Sequence, residues 1–347
     1  RKNVPESEYL TTMHDPQNAV EFDNLHTYFF TDTGTVKSVD GVTFNVPIGK
    51  TVGVVGESGC GKSVTSLSLM QLIQRPQGQI VEGEIRLNLG HGKAYDVVKT
   101  PQQQMQHLRG NYVSMIFQEP MTSLNPVYTV GKQVREAILL HQNLSKEEAK
   151  NKVIDIFRKI GIPEPEKRYN SHQLSGGLRQ RVMIGMAMVC EPELLIADEP
   201  TTALDVTIEA QILKLMKKLR DDNGTSILMI THNMGVVAQM CDMVYVMYAG
   251  KVMEQAETFE LFRNTCHPYT EGLLKSIPRM DNQVDRLYSI RGVVPNLLHL
   301  PKGCSFCTRC DYATERCRQE RPELYPVGEG HMVRCFRYEK GGDGHGE

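Results

Sequence analysis

Short apolar runs broken by glycine open the readable part of the chain. Val20 to Leu25, Val42 to Val46 and Thr51 to Val55 have the length and β-branched content of strands, with Gly34, Gly41 and Gly49 between them. Val64 to Ile73 then takes helical spacing. Residues 74–110 are rich in glycine and glutamine and show no clear period. Val113 to Phe117 reads as a buried strand, and Glu119-Pro120 and Asn125-Pro126 break the chain after it. Ser145-Lys146-Glu147-Glu148 has the form of a capping box. Val153, Ile156, Phe157 and Ile160 follow at helical spacing until Gly161 and Pro163 stop the pattern. The stretch from about 120 to 175 is therefore expected to be mostly helical.

The second half alternates more regularly. A helix with Val182, Met183, Met186 and Val189 precedes a buried strand, Leu194 to Ala197, that ends in Asp198-Glu199. The stripe Ile208, Ile212, Leu215 and Leu219 gives another helix, ended by Asn223-Gly224. Ser226 to Thr231 and Met243 to Tyr248 give two further strands, the first with His232 at its tip and the second turning at Ala249-Gly250. Strands alternating with helices predict an α/β fold with a largely parallel sheet. After about residue 262 the pattern gives way to prolines (Pro268, Pro278, Pro295, Pro301) and cysteines. The expected division is a leader over 1–19, a main domain over 20–262 and a smaller domain over 263–347, with Gly341 to Glu347 disordered.

Composition changes this picture little. The 347 residues carry a net charge of −2, so no basic field argues for a nucleic acid partner. No apolar run approaches the ~20 residues that span a bilayer. The start, Arg1 to Pro16, is polar and charged, unlike a signal peptide. A cytosolic protein is the expectation.

The chemistry begins at Gly56-Glu57-Ser58-Gly59-Cys60-Gly61-Lys62-Ser63, between a strand and a helix that opens with Val64. Glycines let the backbone wrap a phosphate chain, and the loop and helix N–H groups point at its charge. Lys62 is placed to neutralise β- and γ-phosphates, and Ser63 to offer its hydroxyl to Mg²⁺. The chain is expected to bind a nucleoside triphosphate. Leu174-Ser175-Gly176-Gly177-Leu178-Arg179-Gln180-Arg181 builds a second anion-binding helix start. Carboxylates at a strand's C-terminal end, as at Asp198-Glu199, lie where an open α/β sheet binds ligands. Tyr28, Phe29 or Phe30 offers an aromatic ring upstream of the phosphate loop.

The phosphate loop, Gln118, Leu174 to Gly177, the strand to Glu199, Ala203-Leu204-Asp205 and His232 occur in the order found in ABC transporter nucleotide-binding proteins, which residues 20–260 resemble. The resemblance implies a P-loop NTPase fold with a RecA-like core and a helical subdomain near 120–175. It implies that Asp198, Ser63 and Gln118 hold Mg²⁺, that Glu199 polarises the attacking water, and that His232 contacts the γ-phosphate. It also implies that Phe29 stacks on adenine, that Asp205 faces the opposite subunit, and that Ser175, Gly176 and Gly177 serve ATP bound to that subunit. Leu178 departs from the glutamine found there in many members.

The segments Gln118 to Pro126, Thr201 to Thr207 and His267-Pro268-Tyr269-Thr270 are similar to those of oligopeptide and dipeptide permease ATPases. That branch implies a paralogous ATPase as heterodimer partner, two membrane permeases, an extracellular peptide-binding protein, and a peripheral place on the cytoplasmic side of the membrane. Nickel and glutathione importers lie close by, and a soluble non-transport ABC ATPase is the reading from another class. Cys304, Cys307, Cys310, Cys317 and Cys335 crowd the end of the chain, which in a cytosolic protein reads as a metal site. The branch implies a [4Fe-4S] cluster on Cys304, Cys310, Cys317 and Cys335, with zinc as the alternative and Cys307 as the extra thiol.

Overall fold

The structure is a computed structural model that describes residues 4–118, 123–202, 204–277 and 288–339. Glu119-Pro120, Ala203, Pro278 and the tail Gly341 to Glu347 lie outside the described residues. The chain groups into two compact units. One comprises residues 1–20, 46–51 and 86–229, and the other 21–45, 52–85 and 230–347.

In the first unit, Val113–Ile116 pairs in parallel with Leu194–Asp198, in register from Val113 opposite Leu194 to Ile116 opposite Ala197. Ser226–Thr231 neighbours Leu194–Asp198 on its other side. All residues of Leu194–Asp198 are buried, as a parallel strand covered on both faces requires. The helices Val130–His141, Lys146–Lys159 and Gly176–Met188 pack together. Their contact buries Val134, Ile138, Phe157 and Ile160. Ser145 caps Lys146–Lys159 through the reciprocal bonds of a capping box with Glu148, and Gly161 ends that helix at φ +73°. Within 123–175 the α-helices are Val130–His141 and Lys146–Lys159.

The structure corrects one expectation. Residues 4–17 are not a loose leader. They form a 3-10 turn, Glu6–Glu8, and a strand, Leu10–Thr11, which pairs antiparallel with Ala94–Asp96. Tyr9 is buried edge-on to Tyr95, with ring centroids 4.8 Å apart. Residues 74–110 contain strands Gly78–Asn88 and Ala94–Asp96 and a helix, Gln102–Leu108. Only Ile85 and Leu87 of the long strand point fully inward, so its sequence carries too few apolar residues to display a period.

In the second unit, Thr51–Val55 pairs in parallel with Met243–Tyr248, which pairs antiparallel with Lys251–Glu257. His331–Val333 continues the ladder on Lys251–Glu257, and Tyr325–Gly328 on His331–Val333. The cysteine-rich end of the chain thus adds strands to the sheet that carries the phosphate loop. Asn18–Thr31 lies between Gly78–Asn88 and Gly34–Pro47. Phe22 stacks on Phe44 at 4.3 Å, and Phe44 meets Tyr245 at 5.0 Å. The helix Lys62–Leu69 is shorter than the run to Ile73 predicted, and Gln71 follows it at φ +49°.

Candidate functional site

Two glycines of Gly56 to Ser63 are fixed by close backbone approach. A Cβ on Gly56 would stand 2.2 Å from the Met247 carbonyl oxygen, and one on Gly61 would stand 2.2 Å from that of Ser38. Gly61, at φ +105°, is the N-cap of Lys62–Leu69, so the loop runs directly into a helix start, the kind of place where backbone N–H groups meet an anion. Lys62 is buried and donates to the carbonyl oxygens of Gly56 at 2.6 Å and Glu57 at 3.1 Å. Burial pushes the Cys60 thiol up, so it behaves as a small apolar side chain beneath the loop.

Glu57 has partners the sequence reading missed. Its N–H donates to the Tyr269 hydroxyl at 2.8 Å. Its carboxylate receives Nη1 of Arg309 at 2.6 Å on Oε2 and Nη2 at 3.0 Å on Oε1. The 252-residue separation leaves no short-range signal for this pair. Its trace in the sequence is the arginine beside Cys310 and the tyrosine of His267 to Thr270.

Of the three aromatic candidates, Tyr28 is committed elsewhere: its hydroxyl donates to Asp40 at 2.6 Å. Phe29 is half-buried, with its ring against Gly78, and Phe30 is 44% exposed. Phe29 therefore points to the opposite strand face from Tyr28 and Phe30. His232 is exposed at the end of Ser226–Thr231, ahead of the helix Met234–Met240 that Asn233 caps.

The other unit gathers the carboxylates. Asp198 closes its strand and is buried. Glu199 follows at φ +47°, an uncommon conformation for a residue with a side chain. Its Oε2 accepts the Gln118 amide at 3.2 Å and the Thr202 hydroxyl at 2.9 Å. Thr202 entered the sequence reading only as part of a motif; here it orients a predicted catalytic residue. Gln180 is fully buried and donates to the Pro200 carbonyl oxygen, which ties the helix Gly176–Met188 to the turn after Glu199. Ser175 caps that helix by accepting from Leu178 N–H. A Cβ on Gly177 would come 2.9 Å from Ile208 Cγ2. Asp205 caps Val206–Asn223, accepting from Ile208 N–H at 2.9 Å.

Cys304, Cys307, Cys310, Cys317 and Cys335 line one cavity of about 180 Å³, with Phe306, Tyr312 and Phe336 also in its wall. Backbone hydrogen bonding joins Cys304 N–H to Cys317 C=O at 2.8 Å. A Cβ on Gly303 would stand 2.3 Å from that same carbonyl oxygen. Burial pushes the Cys310 and Cys335 thiols up, and Cys304 to about 12. Nearby, the buried Glu254 accepts from the N–H groups of Cys266 and His267 and bonds His331 Nε2 at 2.9 Å. Both its oxygens are thus engaged. Among the described residues, no helix is long and apolar enough to cross a membrane.

Comparison with known proteins matches residues 39–202 to the ABC transporter family and residues 253–317 to the oligopeptide/dipeptide transporter C-terminal region. The oligopeptide transport ATP-binding protein AppD of Bacillus subtilis (strain 168) is 49% identical over 326 residues, 93% of this chain and 98% of the relative. The dipeptide transport ATP-binding protein DppD of the same organism is 45% identical, covering 92% and 95%. Among solved structures, the dimeric ATP-binding cassette MJ0796 bound to ADP and Pi matches with a TM-score of 0.61 at 23% identity, over 69% of this chain and 98% of that one. CbiO1 of Clostridium perfringens, part of the ABC transporter complex cbiONQ, matches at 0.60 and 27%, over 72% and 92%.

Proposed function

The chain belongs to the ABC transporter ATP-binding proteins of oligopeptide and dipeptide transport, and from that premise we propose how its residues drive peptide import. It is the ATP-hydrolysing subunit of a peptide ABC importer. In the proposed site, Gly56 to Ser63 cradles the triphosphate. Lys62 exchanges its bonds to Gly56 and Glu57 for β- and γ-phosphate oxygens. Glu199 takes the proton side of the attacking water, and His232 faces the γ-phosphate as charge develops. Phe29 stacks on adenine. Ser175, Gly176, Gly177 and Asp205 act on the nucleotide of the neighbouring ATPase.

The observation that carries this reading is the double donation of Gln118 and Thr202 to one oxygen of Glu199. A carboxylate so oriented is preorganised to align water. Gln118 then couples the state of the site to the rest of the transporter. The donors assigned to Mg²⁺ are the hydroxyl of Ser63, the carboxylate of Asp198 and the amide of Gln118. They are oxygen ligands of the kind a hard dication takes. When bound, the ion neutralises charge on the β- and γ-phosphates.

The cysteine cavity suits a [4Fe-4S] cluster on Cys304, Cys310, Cys317 and Cys335. Soft thiols surround one space, in a region with little core of its own. A single zinc ion, with Zn–S near 2.3 Å, would draw its sulfurs to about 3.8 Å from one another. Zinc on the same four thiols is the alternative. The cluster's proposed role is to hold the small C-terminal region together.

The assembly proposed is a heterodimer with a paralogous ATPase, under two membrane permeases fed by an extracellular peptide-binding protein. The chain would sit at the cytoplasmic face of the membrane. The direct test of the catalytic assignment is Glu199→Gln: nucleotide binding without turnover supports it, and normal turnover removes Glu199 from its role.

A further inference from the structure

Glu57 is a carboxylate inside a loop built to hold a triphosphate. Alone it would repel the ligand that the surrounding N–H groups attract. The structure answers this with Arg309. The guanidinium binds the Glu57 carboxylate through both terminal nitrogens. Its remaining donors reach the carbonyl oxygens of Arg291 at 2.9 Å and Ile290 at 3.3 Å and the Tyr248 hydroxyl at 3.4 Å. Every donor of the fork is therefore used. The Arg309 side chain is 3% exposed and that of Glu57 31%. A bidentate pair with its guanidinium buried is held in one geometry.

We propose that Arg309 is the internal counter-ion of the phosphate loop: it cancels the charge of Glu57, and this makes the loop competent to bind a nucleoside triphosphate. Arg309 lies between Cys307 and Cys310, so the segment that lines the cysteine cavity also supplies the charge on which nucleotide binding depends. Tyr269 reinforces the link by holding the Glu57 N–H. The inference rests on the reading of Gly56 to Ser63 as the ATP site. Arg309 acts through Glu57 and is a positioning residue.

The test is MgATP affinity of the full chain, measured for the wild type, Arg309→Gln, Glu57→Gln and the double variant at low and high ionic strength. Arg309→Gln leaves Glu57 bare beside the phosphates and is expected to raise Kd on the order of tenfold at low salt. Salt should shrink that loss, because an uncompensated charge at a partly exposed position is screened. Adding Glu57→Gln should restore Kd to within about threefold of the wild type. A purely structural Arg309 would give a loss that neither salt nor the second substitution repairs, and that result overturns the proposal, as does an unchanged Kd in Arg309→Gln. Should Arg309→Gln fail to fold, Arg309→Lys decides: it keeps the charge without the fork, so a Kd within about threefold of the wild type supports the counter-ion, and a loss on the order of tenfold that salt does not reduce overturns it. Absence of MgATP binding by the wild-type chain would instead sink the reading of the loop.

Discussion

The Gln118 amide and Glu199 meet at Oε2 of the carboxylate, 3.2 Å apart, and the Thr202 hydroxyl reaches that oxygen from the other side of the turn at 2.9 Å. One oxygen of the carboxylate is thereby fixed by two donors drawn from separate stretches of chain. Glu199→Gln keeps the shape and removes the charge. Steady-state phosphate release should fall on the order of 10² to 10³-fold while MgATP binding, read by equilibrium titration, is retained. Thr202→Val should give a smaller loss through misorientation of Glu199.

The phosphate loop tolerates no side chain where it crosses the Met247 and Ser38 carbonyl groups. Gly56→Ala forces a Cβ against backbone, which cannot swing aside. MgATP binding is expected to weaken about tenfold or more, with the fold retained by circular dichroism.

Cys335→Ser removes one wall thiol from the cysteine cavity. On the cluster proposed above, iron and acid-labile sulfide should be lost from protein purified without oxygen, and proteolysis within the C-terminal region should accelerate. Because Arg309 lies in the same segment and pairs with Glu57, MgATP binding should also weaken, without being lost, since the loop's own glycines and Lys62 are untouched. Full retention of iron would remove Cys335 from the ligand set.

Asp40 links stability to pH. Burial works against its charge, but the Tyr28 hydroxyl and Lys251 outweigh that and hold its carboxyl down to about 2. A depressed carboxylate contributes stability above its unfolded pKa of ~3.9 and loses it as pH falls towards 2. Asp40→Asn should lower stability near neutral pH by about 2 kcal/mol and flatten the acid limb between pH 4 and 2. Urea titrations at stepped pH measure both.

Much of this site was legible because its chemistry is contiguous. Gly56 to Ser63 is one loop, and Asp198-Glu199 ends a buried apolar run. Ser145 and Glu148 are three residues apart, so their reciprocal cap could be read directly. What escaped was long-range or weakly patterned. The pairing of Glu57 with Arg309 depends on how the chain end returns to the phosphate loop, which no periodicity encodes. The strand Gly78–Asn88 buries too few side chains to alternate visibly, and Tyr9 draws an apparently polar leader into a sheet. Gln180 looked like one more signature residue, whereas its burial and bond to the Pro200 carbonyl are packing facts that only tertiary structure supplies.

The most direct test of the importer assignment is ATP turnover by the membrane-reconstituted transporter with its binding protein, against dipeptides, longer peptides, glutathione and nickel chelates. Stimulation by peptides, abolished by Glu199→Gln in this chain, is the predicted result. Stimulation by nickel chelate or glutathione alone, or no stimulation by any of them, would contradict it.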